Sequence, residues 1–366
     1  MADDERKALV VQGPRSLAEV GAGARKILSS VVSDALTVAS SREKALRSTP
    51  FRIGSYEFRE PDYRQIMIWA EALEIDPESL VRRLETTSFT SSEHGYSFED
   101  TTAFGVERGA IVSLAWDFAA LPLNSFDWVR GLSIREIAVF GATAKHNQIT
   151  FQLASVQWLK IASTNLTKLD LSNLPNLTYI HCLNNQFTEL NLLKLSALKM
   201  ISCDNNQLTV LNIYDLPDLG ILNCRNSRLT ELNLSKLPVF VHLDCRSNRL
   251  TSLEFSQMPS LEGLFCHDNQ LTELNLSNVP RLWVLWCESN RLSELDLSNA
   301  PELTSLICTE NQLTELDLSA VPNLTKLHCE KNLITELDVT ANTALTQLRC
   351  DPSVRVVKLP SQNFER

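Results

Sequence analysis

Nine cysteines recur at a constant interval of 21 residues, and this spacing constrains the fold more than any other feature of the chain. They are Cys182, Cys203, Cys224, Cys245, Cys266, Cys287, Cys308, Cys329 and Cys350. A disulfide framework pairs its cysteines at irregular spacings, and nine is an odd number. Metal sites use short pairs such as Cys-x2-Cys, and the chain has none. The interval therefore predicts one structural repeat per cysteine, with the small apolar thiols packed inside as core residues.

Each repeat also places apolar residues and an asparagine at fixed distances from its cysteine. Apolar and polar residues alternate at the cysteine and again eight to ten residues later, which is the periodicity of a β-strand. An inward amide three residues after the cysteine can satisfy backbone groups of the neighbouring coil. A proline 14 residues after most cysteines ends the second strand. The asparagines that we predict to be structural are Asn185, Asn206, Asn248, Asn269, Asn290, Asn311 and Asn332.

Segments such as LTYIHCLNNQFTELNL resemble leucine-rich repeats of a short, 21-residue class common in bacterial proteins. The resemblance covers residues 156–350 and implies an α/β-class leucine-rich-repeat solenoid of parallel β coils with little helix in the repeats. We expect roughly eleven to twelve coils. Three places depart from the pattern. Ser227 replaces the asparagine, Ile161 and Thr164 replace cysteine and asparagine in the first copy, and the phase breaks after Cys350.

The chain outside the repeats is predicted to form three parts. Residues 1–90 are an N-terminal helical region, with one helix in SLAEVGAGARKILSSVVSDAL and two more that are separated near Glu74. The last of these has Asp76 as N-cap and Pro77 as its first residue. Residues 91–155 are a polar linker followed by degenerate capping coils in GAIVSLAW and IREIAVF, and residues 351–366 are a C-terminal cap. Caps must be atypical because a stack would otherwise expose its hydrophobic end.

Composition and motifs argue against several functional classes. A net charge of −10 disfavours nucleic-acid binding. The N-terminal sequence lacks a signal-peptide pattern and no stretch approaches 18 apolar residues, so we expect a cytoplasmic protein without a membrane span. No Ser/His/Asp or Cys/His arrangement stands apart from the repeats, so we expect no enzyme activity, no catalytic residue, no metal and no cofactor.

Polar residues on the repeats leave two further interpretations open. Four histidines, His181, His242, His267 and His328, face outward from the first strands but are too far apart to share one metal ion, so we expect them to face solvent or a partner. The second strands carry an acidic column that either binds cations or a basic partner, or only keeps the protein soluble. Its members are Glu189, Glu231, Glu273, Glu294, Glu315, Glu336, Asp296, Asp317 and Asp338.

The resemblance implies a protein–protein interaction scaffold that binds a protein partner on the concave face, which the first strands form. Four outward residues of that face, Val284, Phe265, Trp286 and Ile307, are predicted to form one apolar cluster, edged by Asp244, Arg246, His267 and Glu288. An apolar centre with a polar rim is typical of a binding hot spot. Alternatively, the helical region or a second copy of the chain covers the cluster. Trp283 is expected to pack against the neighbouring coil.

The second candidate function is a regulatory or DNA-linked protein that acts through its N-terminal helices while the repeats act as a sensor. IMIWAEALEIDPESLVRRL partly resembles a helix-turn-helix. However, Glu74 stands where the turn would have glycine, and Glu78 would face phosphate. The identity of the partner and the oligomeric state are not determined by the sequence.

Overall fold

The structure, a computed structural model, describes residues 51–86, 104–108, 110–121, 131–141, 148–256 and 258–365. The helix that we predict in SLAEVGAGARKILSSVVSDAL lies outside these residues, as does the polar segment before Phe104. The described helices are α1 (Glu60–Ala72) and α2 (Pro77–Thr86). The described residues from Arg52 onward form one compact unit.

Twenty-one short strands account for most of the regular structure in the described chain. Those before the regular repeats are β1 (Phe51–Ile53), β2 (Tyr56–Phe58), β3 (Phe104–Glu107), β4 (Ala110–Asp117), β5 (Glu136–Phe140) and β6 (Gln148–Thr150). The repeats contribute β7 (Trp158–Ala162), β8 (Lys168–Asp170), β9 (Tyr179–His181), β10 (Met200–Ser202), β11 (Val210–Ile213), β12 (Ile221–Asn223), β13 (Glu231–Leu234), β14 (His242–Asp244), β15 (Gly263–Phe265), β16 (Val284–Trp286), β17 (Ser305–Ile307), β18 (Lys326–His328), β19 (Glu336–Asp338), β20 (Gln347–Arg349) and β21 (Arg355–Val357).

One 13-stranded sheet runs the length of the stack, in the order β20-β18-β17-β16-β15-β14-β12-β10-β9-β7-β5-β4-β3. Strand β3 pairs antiparallel with β4, and the strands from β4 to β20 pair parallel, each belonging to one coil. Equivalent positions pair in register, as Leu243 does with Leu264 and Leu264 with Leu285. The predicted solenoid and its number of coils are confirmed. The segments GAIVSLAW and IREIAVF, which become β4 and β5, are coils of the same sheet, whereas the sequence did not predict β3.

The cysteines lie between the two strand runs of each coil, in the leucine-rich core. Eight of them are buried, and Cys350 in the last coil is half-buried. None of the nine is in a disulfide bond. Burial raises the pKa of the six thiols from Cys224 to Cys329, that of Cys329 to about 12. The prediction of core thiols is therefore confirmed for eight positions, and Cys350 is the correction, because no further repeat covers the end of the stack.

The asparagine column joins successive coils through buried hydrogen bonds. The Asn248 amide donates to the carbonyl of Cys224 in the preceding coil and to that of Cys245 in its own coil, each at 2.9 Å. Its side-chain oxygen accepts the N–H of Leu229 at 3.1 Å. At the exceptional position, the hydroxyl of Ser227 is buried and has no hydrogen-bond partner among the described residues. The Asn248 side chain thus satisfies backbone groups of two successive coils.

The second run of each coil forms strands less often than the sequence predicts. Only β6–β8, β11–β13 and β19–β21 pair in this region of the described chain. In three of the coils between them, Asn275, Asp296 and Asp317 accept the N–H of the residue two positions later, at 2.8–2.9 Å. Asp170 at the end of β8 and Asp338 at the end of β19 accept the N–H two positions later in the same way, so these Asx turns occur both with and without a strand ladder. The acidic column therefore has a local structural role at Asp296 and Asp317, and hydrogen bonding lowers the pKa of both carboxyls.

The two predicted helices exist and pack on the start of the long sheet. Glu74 separates them with a φ of 55°, and Asp76 accepts the N–H of Ser79 at 2.8 Å as the N-cap. The α1 side chain of Asp62 is fully buried and accepts the N–H of Ile111 in β4 at 2.9 Å. An unpredicted hairpin of β1 and β2 precedes them. These helices therefore lie at the β4 end of the stack.

Candidate partner-binding surface

The predicted apolar residues come together on the outward face of the long sheet because the coils stack in register. Phe265 pairs with Trp286, and Trp286 with Ile307, on the neighbouring strands β15, β16 and β17. The rings of Phe265 and Trp286 meet edge to face with centroids 5.0 Å apart. These three side chains are half-buried, whereas Val284, two residues before Trp286 on β16, is 8% exposed. We call Val284, Phe265, Trp286 and Ile307 the Trp286 cluster.

Two residues outside the predicted set shape this cluster. A Cβ atom at Gly263 would lie 3.2 Å from His242 Nδ1 and 3.3 Å from Phe265 Cε2, so the glycine makes room for both rings. The rings of His242 and Phe265 are 5.1 Å apart. On the other side, Lys326 Nζ lies 5.8 Å from the centre of the Trp286 ring. The sequence did not indicate Lys326 as part of this surface, because its contact with Trp286 joins strands that are two coils apart.

The four predicted rim residues surround the cluster but differ in exposure. Asp244 and His267 are 7% and 9% exposed, and Arg246 and Glu288 are half-buried. Arg246 forms an ion pair with Asp244 at 3.0 Å. His267 Nδ1 lies 3.9 Å from Glu288 Oε1. Burial lowers the pKa of His267 and raises that of Glu288.

Two neighbouring kinds of side chain differ in exposure from what their positions suggest. Trp283, which the sequence predicts to pack against the neighbouring coil, is 48% exposed. His181 and His267, which the sequence predicts to face solvent or a partner, are each only 9% exposed and so do not face bulk solvent. Burial, with a smaller effect of the Lys160 charge, lowers the pKa of His181 to about 4. Outward direction on a strand therefore does not ensure exposure when the adjacent coils carry large side chains.

A second aromatic group occupies the same face nearer the helices. Trp158 and Tyr179 stack with ring centroids 3.8 Å apart. Between this stack and the Trp286 cluster, Arg225 Nε donates to Asp204 at 3.1 Å, and both side chains are less than 10% exposed. Burial raises the pKa of Asp204 to about 6, against the opposing effect of the Arg225 charge. The Arg225–Asp204 ion pair thus lies between the Trp158–Tyr179 stack and the Trp286 cluster on this face.

Other kinds of site find little support in the part of the chain that the structure describes. No group of three or more His, Cys, Asp or Glu side chains is arranged to hold a metal ion there. Neither described helix has the length and apolar character that a membrane span requires. The second helix buries Leu80, Val81 and Leu84, and Arg82 pairs with Glu78 on its outer side.

Solved structures with similar folds include leucine-rich-repeat proteins and internalins. The functional domain of InlJ from Listeria monocytogenes, which includes a cysteine ladder, is 32% identical with a TM-score of 0.55, over 61% of this chain and 49% of that one. This chain therefore spans about half the length of the InlJ structure. The leucine-rich-repeat ectodomain of the Arabidopsis thaliana receptor kinase GASSHO1/SCHENGEN3 is 21% identical with a TM-score of 0.51, over 66% of this chain and 32% of that one.

YopM from Yersinia enterocolitica is 24% identical with a TM-score of 0.46, over 65% of this chain and 60% of that one. No protein-family model matches the sequence, and no curated protein matches it. The buried column of thiols in this chain corresponds in kind to the cysteine ladder of the Listeria domain.

Proposed function

Because this chain is a leucine-rich-repeat protein, we propose that it is an interaction scaffold that binds a protein partner on the outward face of its long sheet, centred on Trp286. Leucine-rich-repeat proteins generally bind other proteins. The structurally similar Arabidopsis ectodomain, for example, is in complex with CASPARIAN STRIP INTEGRITY FACTOR 2. Fold alone does not choose a partner or a face, so the proposal depends on the Trp286 cluster.

The main observation that supports this proposal is that large apolar side chains occupy positions outside the leucine core. The leucines and cysteines of each coil fill the interior, while Phe265, Trp286 and Ile307 stand on the other side of the sheet and remain half-buried. Aromatic side chains in a partly desolvated, contiguous patch are the group in which binding energy concentrates at protein interfaces. The edge-to-face contact of Phe265 with Trp286 also orders both rings before a partner arrives, which lowers the entropy cost of binding.

Unsatisfied polar atoms beside the cluster give independent support. Trp286 Nε1, His267 Nδ1 and Glu288 Oε2 are shielded from solvent and have no hydrogen-bond partner in the described chain. A shielded polar atom without a partner costs about 1–3 kcal/mol of folding free energy. A partner that supplies donors and acceptors after a small turn of these side chains would recover part of that cost. Such atoms at one place on the face are expected of a binding surface.

Alanine substitution of Trp286 tests this proposal, with an exposed aromatic residue on another side as the matched control. Tyr214 is 41% exposed and follows β11 in the second run, away from the long sheet. Proteins that co-purify with the full chain are compared by mass spectrometry for wild type, Trp286→Ala and Tyr214→Ala. A binding partner should be lost only with Trp286→Ala, and its affinity should then fall by about 2 kcal/mol or more.

The melting temperature decides whether such a loss reflects binding or folding. Trp286→Ala should change it by only about 2 °C, because the indole is not part of the leucine core. Equal recovery of every partner by both variants would contradict the proposal. A large fall in melting temperature with unchanged binding would show that Trp286 is a stability residue.

A further inference from the structure

Basic side chains continue the Trp286 cluster toward the C-terminal end of the sheet. Ile307 pairs in register with His328, and His328 with Arg349 on β20. Lys326, beside His328 on β18, is the lysine whose ammonium lies 5.8 Å from the Trp286 ring. The row of Phe265, Trp286 and Ile307 therefore continues into His328 and Arg349, although the whole chain has a net charge of −10. Lys326 stands in the adjacent row of the same face.

Lys326 and Arg349 form no ion pair with a carboxylate of the described chain, unlike Arg225 and Arg246 on the same face. Arg225 and Arg246 are held by Asp204 and Asp244. No carboxylate of the described chain lies within ion-pair distance of Lys326 or Arg349, since the ion pairs that form there join other side chains. Uncompensated cations next to an exposed apolar patch select a partner by the charge that they attract.

Acidic side chains near these strands accept hydrogen bonds from other groups or are half-buried. Glu330 accepts a threonine hydroxyl at 3.2 Å. Asp351 accepts a backbone N–H at 2.7 Å, on the turn after the strand. Burial raises the pKa of Glu288 more than the nearby Lys326 charge lowers it. The ammonium and guanidinium groups therefore remain available on the strands themselves.

We propose that this surface binds a partner segment in which apolar side chains are followed by carboxylates. The apolar side chains would contact Phe265, Trp286 and Ile307, and the carboxylates would contact Lys326 and Arg349. From β15 to β20 the row crosses four strand spacings, about 19 Å at about 4.8 Å each. An extended segment of about six residues covers that length at about 3.3 Å per residue. This inference deepens the proposed function and rests on it.

Selection from a displayed library of random 12-residue peptides tests the inference, whatever the identity of the natural partner. The immobilised full-length protein should enrich peptides with apolar residues followed within about six positions by Asp or Glu, and Trp286→Ala should abolish their recovery. Reversing the charges with Lys326→Glu and Arg349→Glu should shift the selected residues to Lys and Arg. Arg281→Glu is the matched control, because Arg281 is exposed and precedes the strand, and it should select the same peptides as wild type.

One enriched peptide, synthesised with a fluorescent label, gives the quantitative readout. The charge-reversed variant should bind it about tenfold or more weakly, and raising the salt concentration should weaken wild-type binding. Lys326→Gln with Arg349→Gln, which introduces no new charge, should give a smaller loss in the same direction. It also replaces the reversed variant if that protein does not fold.

The outcomes separate this inference from the proposed function. If no recovered peptide depends on Trp286, both the binding face and the peptide preference are wrong. If the peptides depend on Trp286 but carry no acidic residues, or are selected equally by the charge-reversed variant, only the inference about carboxylates is wrong. Tighter binding of a 12-nucleotide RNA or of anionic vesicles than of any peptide, lost on charge reversal, would likewise overturn the peptide assignment.

Discussion

Asn290 donates its side-chain amide to the backbone carbonyl of Cys266, 24 residues earlier in the chain, at 3.1 Å. The same amide donates to the carbonyl of Cys287 in its own coil at 3.0 Å, and the side-chain oxygen accepts the N–H of Leu271 at 3.0 Å. One buried side chain thus satisfies backbone groups of two neighbouring coils. Since a buried backbone group without a partner is costly, these bonds couple the folding of each coil to that of the coil before it.

Replacing this amide with a carboxylate of the same size should weaken the coupling in a pH-dependent way. Asn290→Asp places negative oxygens against the carbonyls of Cys266 and Cys287, so at neutral pH we expect a loss of about 3 kcal/mol in unfolding free energy. Near pH 4 a protonated carboxyl can donate one hydrogen bond, and the loss should shrink. Urea denaturation at both pH values measures the effect. Asn299→Asp, on an exposed turn, is the control, and a deficit that does not change with pH would contradict this explanation.

The interruption of the column at Ser227 predicts a stabilising substitution. Its hydroxyl is buried without a partner among the described residues, whereas an asparagine there would reach the carbonyls of Cys203 and Cys224. Ser227→Asn should therefore raise the unfolding free energy by about 1 kcal/mol, and the melting temperature by a few degrees. Ser227→Ala should be nearly neutral, because it removes only an unsatisfied group. Calorimetry that finds the asparagine variant less stable than the alanine variant would show that the site has no room for the amide.

The thiols should react in two classes. The interior cysteines are buried, and burial raises the pKa of the six thiols from Cys224 to Cys329, so a chromogenic thiol reagent at about pH 8 should not label them in the native protein. Cys350, which is half-buried, should react. After denaturation in guanidinium chloride all nine thiols should react with the reagent, and reducing agent should not change the melting temperature. Cys350→Ser should remove the native reaction, and rapid labelling of several thiols in that variant would show that the core opens.

His181 should make the protein sensitive to acid. Its pKa lies at about 4 in the folded protein, against the ordinary histidine value of 6.5, so the unfolded chain binds the proton more readily. The resulting stabilisation is complete above pH 6.5 and is lost as the pH falls toward 4, by at most about 3 kcal/mol. His181→Gln should remove this loss, measured as the difference in urea unfolding free energy between neutral pH and about pH 4.5.

A second buried group titrates in the same range and must be kept constant in that comparison. The raised pKa of Asp204, about 6, acts in the opposite direction, because its protonation below pH 6 favours the folded state. Asp204 is unchanged in His181→Gln, so the difference between the two proteins isolates the histidine. His328→Gln, at a half-buried position, should have a smaller effect. Identical pH profiles for wild type and His181→Gln would refute the assignment.

The sequence by itself determined the stack. The fixed period of the cysteine, the asparagine and the leucines predicts which side chains point inward. Because the coils have equal length, they stack in one register, in which Asn290 bonds to the carbonyls of both Cys266 and Cys287. The break at Glu74 and the cap at Asp76 were also readable, because a helix end depends on residues within one turn. The direction of Phe265 and Trp286 followed from the same alternation along the strand.

Only the tertiary structure decided the exposure and the contacts of side chains that differ from coil to coil. Trp283 is exposed and His267 is buried, although direction along the strand suggested the reverse, because exposure depends on side chains one and two coils away. The second runs form ladders in some coils and not in others, although Asx turns occur in both kinds of coil, as at Asp338 in a ladder and at Asp317 outside one. Lys326 reaches the Trp286 ring only after two coils have stacked. A repeat fixes the contacts that every coil shares, whereas contacts made by the few side chains that differ between coils exist only in the folded stack.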